Sequence, residues 1–533
     1  MLYDESRVLM IGFLMLICVG VTSRAVALTS SENATPTNLV VINVDGLGWG
    51  DVGLYSPWRS DTPNIDKLAK TGVVLDNMYC ETSATASSAA FLSGKLGVSW
   101  GLYSSNEVES TQVYEDSGFI LPENIRLLPK ILQEKEYETK YIGRWNLGQR
   151  PEANPTQFGF DEFMGTVSDI PLEVSDGLLV PNIGFYQNEK IVARIPRDLY
   201  FKPSGEDTYE FTKLYAEEAK VFIMKSHGPF YLHLSLDALK HTPYRSQDFI
   251  GSSSSSRNTT FTDALKEIDN LVKEVSAALE STGLSDKTVV VFAAQSTALS
   301  THFDGGSNSP FSGATGTSSE GGIRVPAIIS YKDRQISSEK RTKLLMNFAD
   351  LQATALSLMG IKAPPCIEPK CITDGMDLTL ALANATEAPQ RRIHPIYRGR
   401  TLMAVRMGRY KSHIIVYPYA ESPVLSSLNF TQNTKPNDPV LFDVIADPAE
   451  KFPVGSIYSK SSGRFTDILP VIKEKINYVK ETVKLNGGLL NECNVVWREW
   501  APPGCEDSVN LCNPNMPTKG ALRMCQKPVW AGG

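Results

Sequence analysis

The stretch Asn38-Leu39-Val40-Val41-Ile42-Asn43-Val44 runs without a charged residue into Asp45-Gly46. A continuous apolar run of this length predicts a strand that is covered on both faces, as in a parallel sheet. Asp45 follows the carboxyl end of that strand, which is the edge where ligands bind in open α/β sheets. The stretch therefore predicts an α/β fold with a candidate site at one edge of its sheet.

Downstream segments alternate between strand and helix patterns. Buried strands are predicted at 73–75, 139–142, 230–237, 288–294 and 327–331, and helices at 62–69, 128–137, 261–281 and 350–359. This alternation predicts a mainly parallel sheet with helices on both faces. After Pro389 the pattern changes to a hairpin (401–407 and 410–417), a strand at 440–445 and an amphipathic helix at 467–485, which predicts a smaller α+β domain with an antiparallel sheet.

The amino terminus predicts a secretory signal peptide over residues 1–27. An apolar run from Val8 to Val21 follows Arg7 and precedes Ala25-Val26-Ala27, and its 14 residues are too few to favour a bilayer span. An N-terminal membrane anchor is the alternative. The remaining chain divides into an α/β domain at 38–388, the small α+β domain at 389–488 and a cysteine-rich tail at 489–533.

The charge of the chain argues against nucleic acid as a partner, and its hydropathy argues against a membrane span after the signal peptide. The chain has 533 residues, a net charge of −7 and an isoelectric point near 5.6, which argues against nucleic acid. After signal removal, no later stretch is long and apolar enough to span a membrane.

Cysteines and sequons fit an extracytoplasmic chain. Four cysteines crowd the tail and predict a disulfide framework: Cys493, Cys505, Cys512 and Cys525. Cys366 and Cys371 enclose a proline-containing loop and are predicted to pair. Cys80 is then the odd one, either a buried free thiol, which we favour, or an intermolecular link. Glycosylation is predicted at the sequons of Asn33, Asn258, Asn384 and Asn429.

A second stretch, Thr82-Ser83-Ala84-Thr85-Ala86-Ser87-Ser88-Ala89-Ala90-Phe91-Leu92-Ser93-Gly94-Lys95, predicts a loop that turns into a helix. Small residues lead into a short apolar run, and Gly94 ends it. The amides at such a helix start suit an anion. A packed helix start without chemistry explains the same composition.

This second stretch resembles the signature loop of the sulfatases. In that loop Cys-x-Pro-Ser-Arg precedes a pair of alanines, so the cysteine position is Ala84, the proline Ala86, the serine Ser87 and the arginine Ser88. Further segments resemble the family from about Asn38 to the carboxyl terminus: 45–51, 62–66, 320–326, 409–413 and 447–450. The tail segments 491–493 and 500–505 resemble the N-acetylgalactosamine-6-sulfatase branch, which implies the pairs Cys493–Cys525 and Cys505–Cys512.

The resemblance implies an alkaline-phosphatase-like fold and a site that uses a formylglycine made from cysteine, a calcium ion held by three Asp and one Asn, and lysines and histidines on the sulfate. The corresponding positions depart from that pattern. The calcium positions are Asp45, Gly46, Gln295 and Ser296, so Asp45 is the one acidic ligand left, and no cofactor is expected. The lysine and histidine positions are Arg144, Asn146 and Thr315, and His241 remains titratable.

These substitutions predict a sulfatase-family protein without sulfatase activity, secreted or lysosomal and glycosylated. Arg144, His241 and Ser87 are the candidate anion-binding residues for a sulfated or otherwise anionic glycan. A structural or partner-binding body is an equal alternative. A third hypothesis keeps ester hydrolysis, of sulfate or phosphate, with Thr85 or Ser87 as the nucleophile. The resemblance also implies a homodimer.

Overall fold

The computed structural model describes residues 37–56, 61–103, 119–122, 124–149, 151–167, 183–195, 210–240, 243–253, 259–299, 305–331, 340–363, 373–383, 388–415, 439–454, 463–485 and 488–490. Several predictions from the sequence lie outside these residues: the signal peptide, the six cysteines of the predicted disulfides, the four sequons and His241. They stay predictions.

The main sheet has ten strands. They are β1 (Asn38–Val44), β2 (Gly72–Tyr79), β3 (Glu138–Arg144), β4 (Glu162–Thr166), β5 (Ile183–Gln187), β6 (Lys190–Ile195), β7 (Phe230–Leu236), β8 (Thr288–Ala294), β9 (Ala327–Ser330) and β10 (Lys340–Asn347). Their order across the sheet is β10-β2-β9-β8-β1-β7-β3-β4-β5-β6. The central strands β8, β1, β7, β3 and β4 are mutually parallel, while β9, β5 and β6 pair antiparallel. The predicted mainly parallel sheet is confirmed.

The described residues also form helices. They are α1 (Pro63–Lys70), α2 (Ala84–Ser93), α3 (Leu128–Gln133), α4 (Phe211–Lys225), α5 (Thr259–Ser281), α6 (Glu320–Ile323), α7 (Phe348–Leu358), α8 (Thr379–Leu382) and α9 (Gly463–Thr482). The stripe predicted on α5 is buried, with Leu265, Ile268, Val272 and Val275 each at most 1% exposed. That burial explains why α5 is the clearest helix in the sequence. No helix in the described part of the chain is long and apolar enough to cross a membrane.

A small antiparallel sheet follows, in the order β11 (Ile393–Arg398), β12 (Thr401–Met407), β13 (Tyr410–His413) and β14 (Val440–Asp443). The predicted hairpin is present, with β13 shorter than expected. Apolar side chains of both sheets belong to one buried cluster, which includes Val41 of β1, Val405 of β12 and Leu441 of β14. The two sheets therefore share a core.

Buried charges tie the small sheet to the loop before β9. Lys411 Nζ lies 3.2 Å from Glu320 Oε1 and 3.1 Å from Glu450 Oε1, and all three side chains are fully buried. Burial alone would raise the pKa of Glu320, but Lys411 and Arg406 lower it to about 2. Tyr79 of β2 also donates to Glu320 at 2.7 Å. Breaking one member of such a network leaves an uncompensated buried charge.

The strand β1 fixes the position of the candidate site. Val44 pairs with Ala294 of β8 and with Leu236 of β7, so these three parallel strands end at the same edge. The strand β3 ends at Arg144 beside β7. Residues that follow these strands, far apart in sequence, therefore meet at one edge of the sheet.

Candidate functional site

A pocket of about 160 Å³ opens at that edge. It is lined by Asp45, Gly46, Thr82, Ser83, Ala84, Thr85, Asn146, Lys240, Ser296, Thr297, Leu299, Thr315 and Gly316. Seven positions that the sequence assigned to the site meet here: Asp45, Gly46, Ala84, Thr85, Asn146, Ser296 and Thr315. Four others, Ser87, Ser88, Arg144 and Gln295, are buried without lining it.

The carboxylate of Asp45 is buried and fully engaged by neighbouring side chains. Its Oδ2 forms an ion pair with Arg144 Nη2, and its Oδ1 accepts a hydrogen bond from the Ser296 hydroxyl. Lys240 Nζ lies 3.9 Å from the same Oδ2. The backbone amide of Asp45 donates to the Leu236 carbonyl at 2.8 Å, which anchors the residue to β7.

Arg144 corrects one prediction from the sequence. Its side chain is 2% exposed and is paired with Asp45, so its guanidinium does not face the pocket. The reason is the position of Arg144 at the end of β3, where the neighbouring strands bring Asp45 within reach. Arg144 therefore neutralises a buried carboxylate in this structure and is not available as an anion-binding residue.

Gly46 turns the chain after β1 in a conformation that favours glycine. Its φ is +82°, and its amide donates to the Ser296 hydroxyl at 2.9 Å. A Cβ at this position would lie 2.8 Å from the Leu239 carbonyl oxygen and 3.0 Å from the Leu239 carbonyl carbon. The turn thus has no room for a side chain, acidic or otherwise.

Gln295 follows β8, and its side chain is hydrogen-bonded to β7 and not to Asp45. Its Nε2 donates to Ser235 Oγ on β7 at 3.2 Å. Its Oε1 is buried and has no hydrogen-bond partner among the described residues. Of the four positions that the sulfatase resemblance assigns to calcium, three are hydrogen-bonded to one another through Ser296, and the fourth bonds a neighbouring strand.

This donor set does not fit a calcium ion, which takes six to eight oxygen ligands, mostly carboxylates. Within the described ranges no group of three or more His, Cys, Asp or Glu side chains could hold a metal. Arg144 and Lys240 also lie within 3.9 Å of Asp45 Oδ2. A divalent ion about 4 Å from one such cation would meet a repulsion of about 8 kcal/mol at an effective dielectric constant of about 20.

The helix α2 begins at the pocket. Ser83 caps it, because its hydroxyl accepts a hydrogen bond from the Ala86 amide at 3.2 Å. Ala84, the position of the family cysteine, is the first residue of α2, and it carries only a methyl group. The amides of the first helical turn have no partner within the helix, which leaves this end suited to a negative group.

Thr85 and Asn146 are in direct contact in the pocket wall. Asn146 Nδ2 donates to Thr85 Oγ1 at 2.6 Å. Asn146 has a φ of +53°, a left-handed conformation that asparagine tolerates. Its Oδ1, and the Thr297 hydroxyl nearby, are buried without a partner in the described part of the chain. Both residues line the pocket, but these two atoms are themselves covered by the surrounding protein.

Ser87 corrects a second prediction. The residue is fully buried; its hydroxyl donates to the Ser83 carbonyl and accepts from the Glu81 amide, both at 3.0 Å. These bonds hold the turn before α2. Ser87 therefore neither binds an anion from the pocket nor serves as a nucleophile, whereas Thr85 remains in the pocket wall.

Lys240 is a site residue that was not predicted from the sequence. It stands in the segment that follows β7, and its side chain is 29% exposed. The sequence could have indicated Lys240, since a lysine shortly after a buried strand lies at the ligand-binding edge of the sheet. The positive charge on the pocket wall thus comes from Lys240.

Cys80 and Glu81 lie beside the site but do not act in it. Cys80 is a buried free thiol, as expected, and burial raises its pKa well above the ordinary value. Burial also raises the pKa of Glu81 to about 8, against the opposing effect of Arg391. Cys80 is therefore no thiolate nucleophile, and Glu81 keeps its proton at neutral pH.

Sequence family models match most of the chain. The sulfatase model matches residues 37–361, and the model of the C-terminal region of aryl-sulfatases matches residues 389–514. The chain belongs to the sulfatase family. This confirms the resemblance on which the site positions were assigned.

Relatives of this sulfatase-family chain include well-known enzymes. N-acetylgalactosamine-6-sulfatase of Rattus norvegicus is 31% identical over 505 residues, covering 90% of this chain and 93% of the relative. Human arylsulfatase A is 29% identical over 470 residues, covering 83% and 87%. The crystal structure of a sulfatase from Pseudoalteromonas sp. has a TM-score of 0.68 at 24% identity, covering 85% of this chain and 91% of that one. The predicted likeness to N-acetylgalactosamine-6-sulfatase and the predicted fold are both confirmed.

Proposed function

We propose that this sulfatase-family chain is a non-catalytic member that binds an anionic group, such as the sulfate of a glycan, in the pocket at the start of α2. The observation that carries the proposal is the methyl group of Ala84 at the position of the family nucleophile. A methyl has no electron pair with which to attack sulfur. In hydrolases whose catalytic groups act together, losing the nucleophile alone costs on the order of 10⁶ in kcat.

The loss of activity has two further supports. The residues at the calcium positions engage each other and do not fit the ion. Asn146, at a histidine position, cannot take up or release a proton near neutral pH.

Binding is supported by the charge of the pocket. Lys240 places its ammonium on the pocket wall, 3.9 Å from Asp45 Oδ2, while the same carboxylate is also paired with the buried Arg144. Ala84 and Thr85, at the start of α2, line the same space, and an anion between Lys240 and this helix start gains from both. The partner implied by this chemistry is a small monoanionic group on a larger molecule. The alternative is a purely structural role, and the binding test below distinguishes it from anion binding.

Residual ester hydrolysis by Thr85 is the second catalytic hypothesis, because its hydroxyl lines the pocket. The hydroxyl oxygen accepts a hydrogen bond from Asn146, an amide that cannot serve as a general base. Turnover of an aryl sulfate and an aryl phosphate by the purified chain, with and without calcium, decides this point. We expect neither to be hydrolysed above background; turnover that disappears in Thr85→Val would contradict the proposal.

Binding is measured on an array of sulfated and unsulfated oligosaccharides. We expect the wild-type protein to retain sulfated sugars and Lys240→Met to lose them. Lys213→Met is the matched control, since Lys213 is exposed on α4 and outside the pocket. Absence of any sulfate-dependent signal would favour a structural or partner-binding body.

We further propose that the mature protein is a glycosylated homodimer of the secretory pathway, either extracellular or lysosomal. The signal-like segment 1–27 and the four sequons support this localisation, and the family resemblance supports the dimer. Expression of the full chain in a eukaryotic cell tests it. Protein that reaches neither the medium nor the lysosome, or that elutes as a monomer, would contradict it.

A further inference from the structure

We infer that the guanidinium of Arg144 is a built-in cation that replaces a divalent metal ion at this sheet edge and makes the fold independent of metal. The ion pair of Arg144 with Asp45 carries the inference, together with the hydrogen bonds of Ser296. It goes beyond the proposed function, because it holds whether or not the pocket binds a ligand.

The first step is the need of Asp45 for a positive partner. Its side chain is 3% exposed, and an ionised carboxylate at that depth is costly unless it is paired. Arg144, itself 2% exposed, supplies that partner from the end of β3. Each of the two charges therefore offsets part of the cost of burying the other.

The second step is that the remaining oxygen of the carboxylate and the adjoining turn are closed by hydrogen bonds. The Ser296 hydroxyl donates to Asp45 Oδ1 and accepts from the Gly46 amide. One hydroxyl thereby joins the end of β1 to the end of β8. In a metal site this joining would be done by an ion that both strand ends ligate.

The third step is that Arg144 is itself held in place. Tyr141 donates from its hydroxyl to the Arg144 carbonyl at 2.6 Å, and β3 pairs with β7 up to Gly143 and with β4 through Arg144. The arginine therefore stands on a fixed strand end, as a structural cation requires.

The test measures the thermal unfolding midpoint of the full chain. For the wild type we expect no shift on adding calcium, magnesium or a chelator. A midpoint that rises with calcium and saturates, or one that falls with the chelator, would overturn the inference.

A chemical-rescue experiment tests the arginine directly. Arg144→Ala leaves Asp45 buried without this partner, and we expect its midpoint to fall by roughly 3–5 °C. Low millimolar guanidinium, well below denaturing concentrations, should restore part of that loss, while the same concentration of tetramethylammonium should not. Equal behaviour with both ions would refute the assignment.

Two further variants keep the test decisive if Arg144→Ala does not fold. Arg144→Lys retains the charge, so its unfolding midpoint should stay close to that of the wild type. Adding calcium should not change this midpoint. Arg341→Ala is the matched control, since Arg341 pairs with Asp76 in a half-exposed position. The unfolding midpoint of Arg341→Ala should fall little and should not rise on adding guanidinium. A rise in the midpoint of this control would show a nonspecific effect and overturn the inference.

Discussion

Replacing Gly46 with aspartate should destabilise the protein without creating a calcium site. The substitution returns the acidic residue that the family pattern has at this position. It also forces a side chain onto a φ of +82° and places its Cβ 2.8 Å from the Leu239 carbonyl oxygen. Left-handed strain and overpacking together amount to about 2–4 kcal/mol.

Gly283→Asp is the control that separates the two costs. Gly283 has a φ of +70°, and a Cβ added there would have no atom within 4 Å, so the variant carries the strain without the clash. Both variants also stiffen the unfolded chain by the same amount, which cancels in the comparison. Gly46→Asp should therefore lose about 1–3 kcal/mol more than Gly283→Asp.

Urea unfolding of both variants, with and without calcium, measures the difference. An equal loss of unfolding free energy in the two variants would show that the Leu239 carbonyl moves aside at little cost and that the turn has room for a side chain. A calcium-dependent gain in Gly46→Asp alone would show that one carboxylate suffices to rebuild the ion site. Either result would refute the reasoning about this turn.

Three other changes have defined outcomes. Under the proposed function, Ala84→Cys should gain no aryl-sulfatase turnover even when coexpressed with the formylglycine-generating machinery, because the residues at the calcium positions and Asn146 are unchanged; a purified variant that hydrolyses an aryl sulfate would contradict this. Burial raises the pKa of Glu81 from 4.5 to about 8, so stability should fall as pH rises through that window, and Glu81→Gln should show a flatter dependence of the unfolding midpoint on pH. Glu450→Gln should cost about 3–5 kcal/mol in urea unfolding because it leaves Lys411 underpaired, whereas Asp248→Asn, which breaks an exposed pair, should cost at most about 1 kcal/mol.

Strands covered on both faces were predictable from the sequence. The strands β1 and β8 have the predicted bounds and β7 ends one residue early, because continuous apolar runs have little alternative to a buried parallel sheet. The strand β10, Lys340–Asn347, was missed. It is an edge strand whose first four residues are Lys-Arg-Thr-Lys, with no apolar side chain among them, so this half does not indicate a strand. Its pairing with β2 is decided by tertiary contacts.

Site positions were predictable from motifs, but the use of each side chain was not. Ala84, Asp45 and Asn146 meet in one pocket as the sequence indicated. Arg144 was expected to face an anion and instead pairs with Asp45, because the register of β3, β7 and β1 brings the two strand ends together. The sequence shows that a charged residue follows a strand. Which residue it pairs with depends on the register of the neighbouring strands.

On the inference that Arg144 takes the place of a metal ion, single substitutions toward the family pattern should not build a metal site at this edge of the sheet. Asp45, Gly46 and Ser296 belong to one hydrogen-bonded network, so a single substitution toward the family pattern removes a contact or creates a clash before it adds a ligand. Ser296→Asn would lose the hydroxyl that joins β1 to β8, and Gly46→Asp would clash with the segment after β7. Removing Arg144 would leave Asp45 without its buried counter-ion until a metal ion was bound. The arginine and the glycine thus stabilise the same state of the site, in which a charge pair within the chain takes the place of an ion.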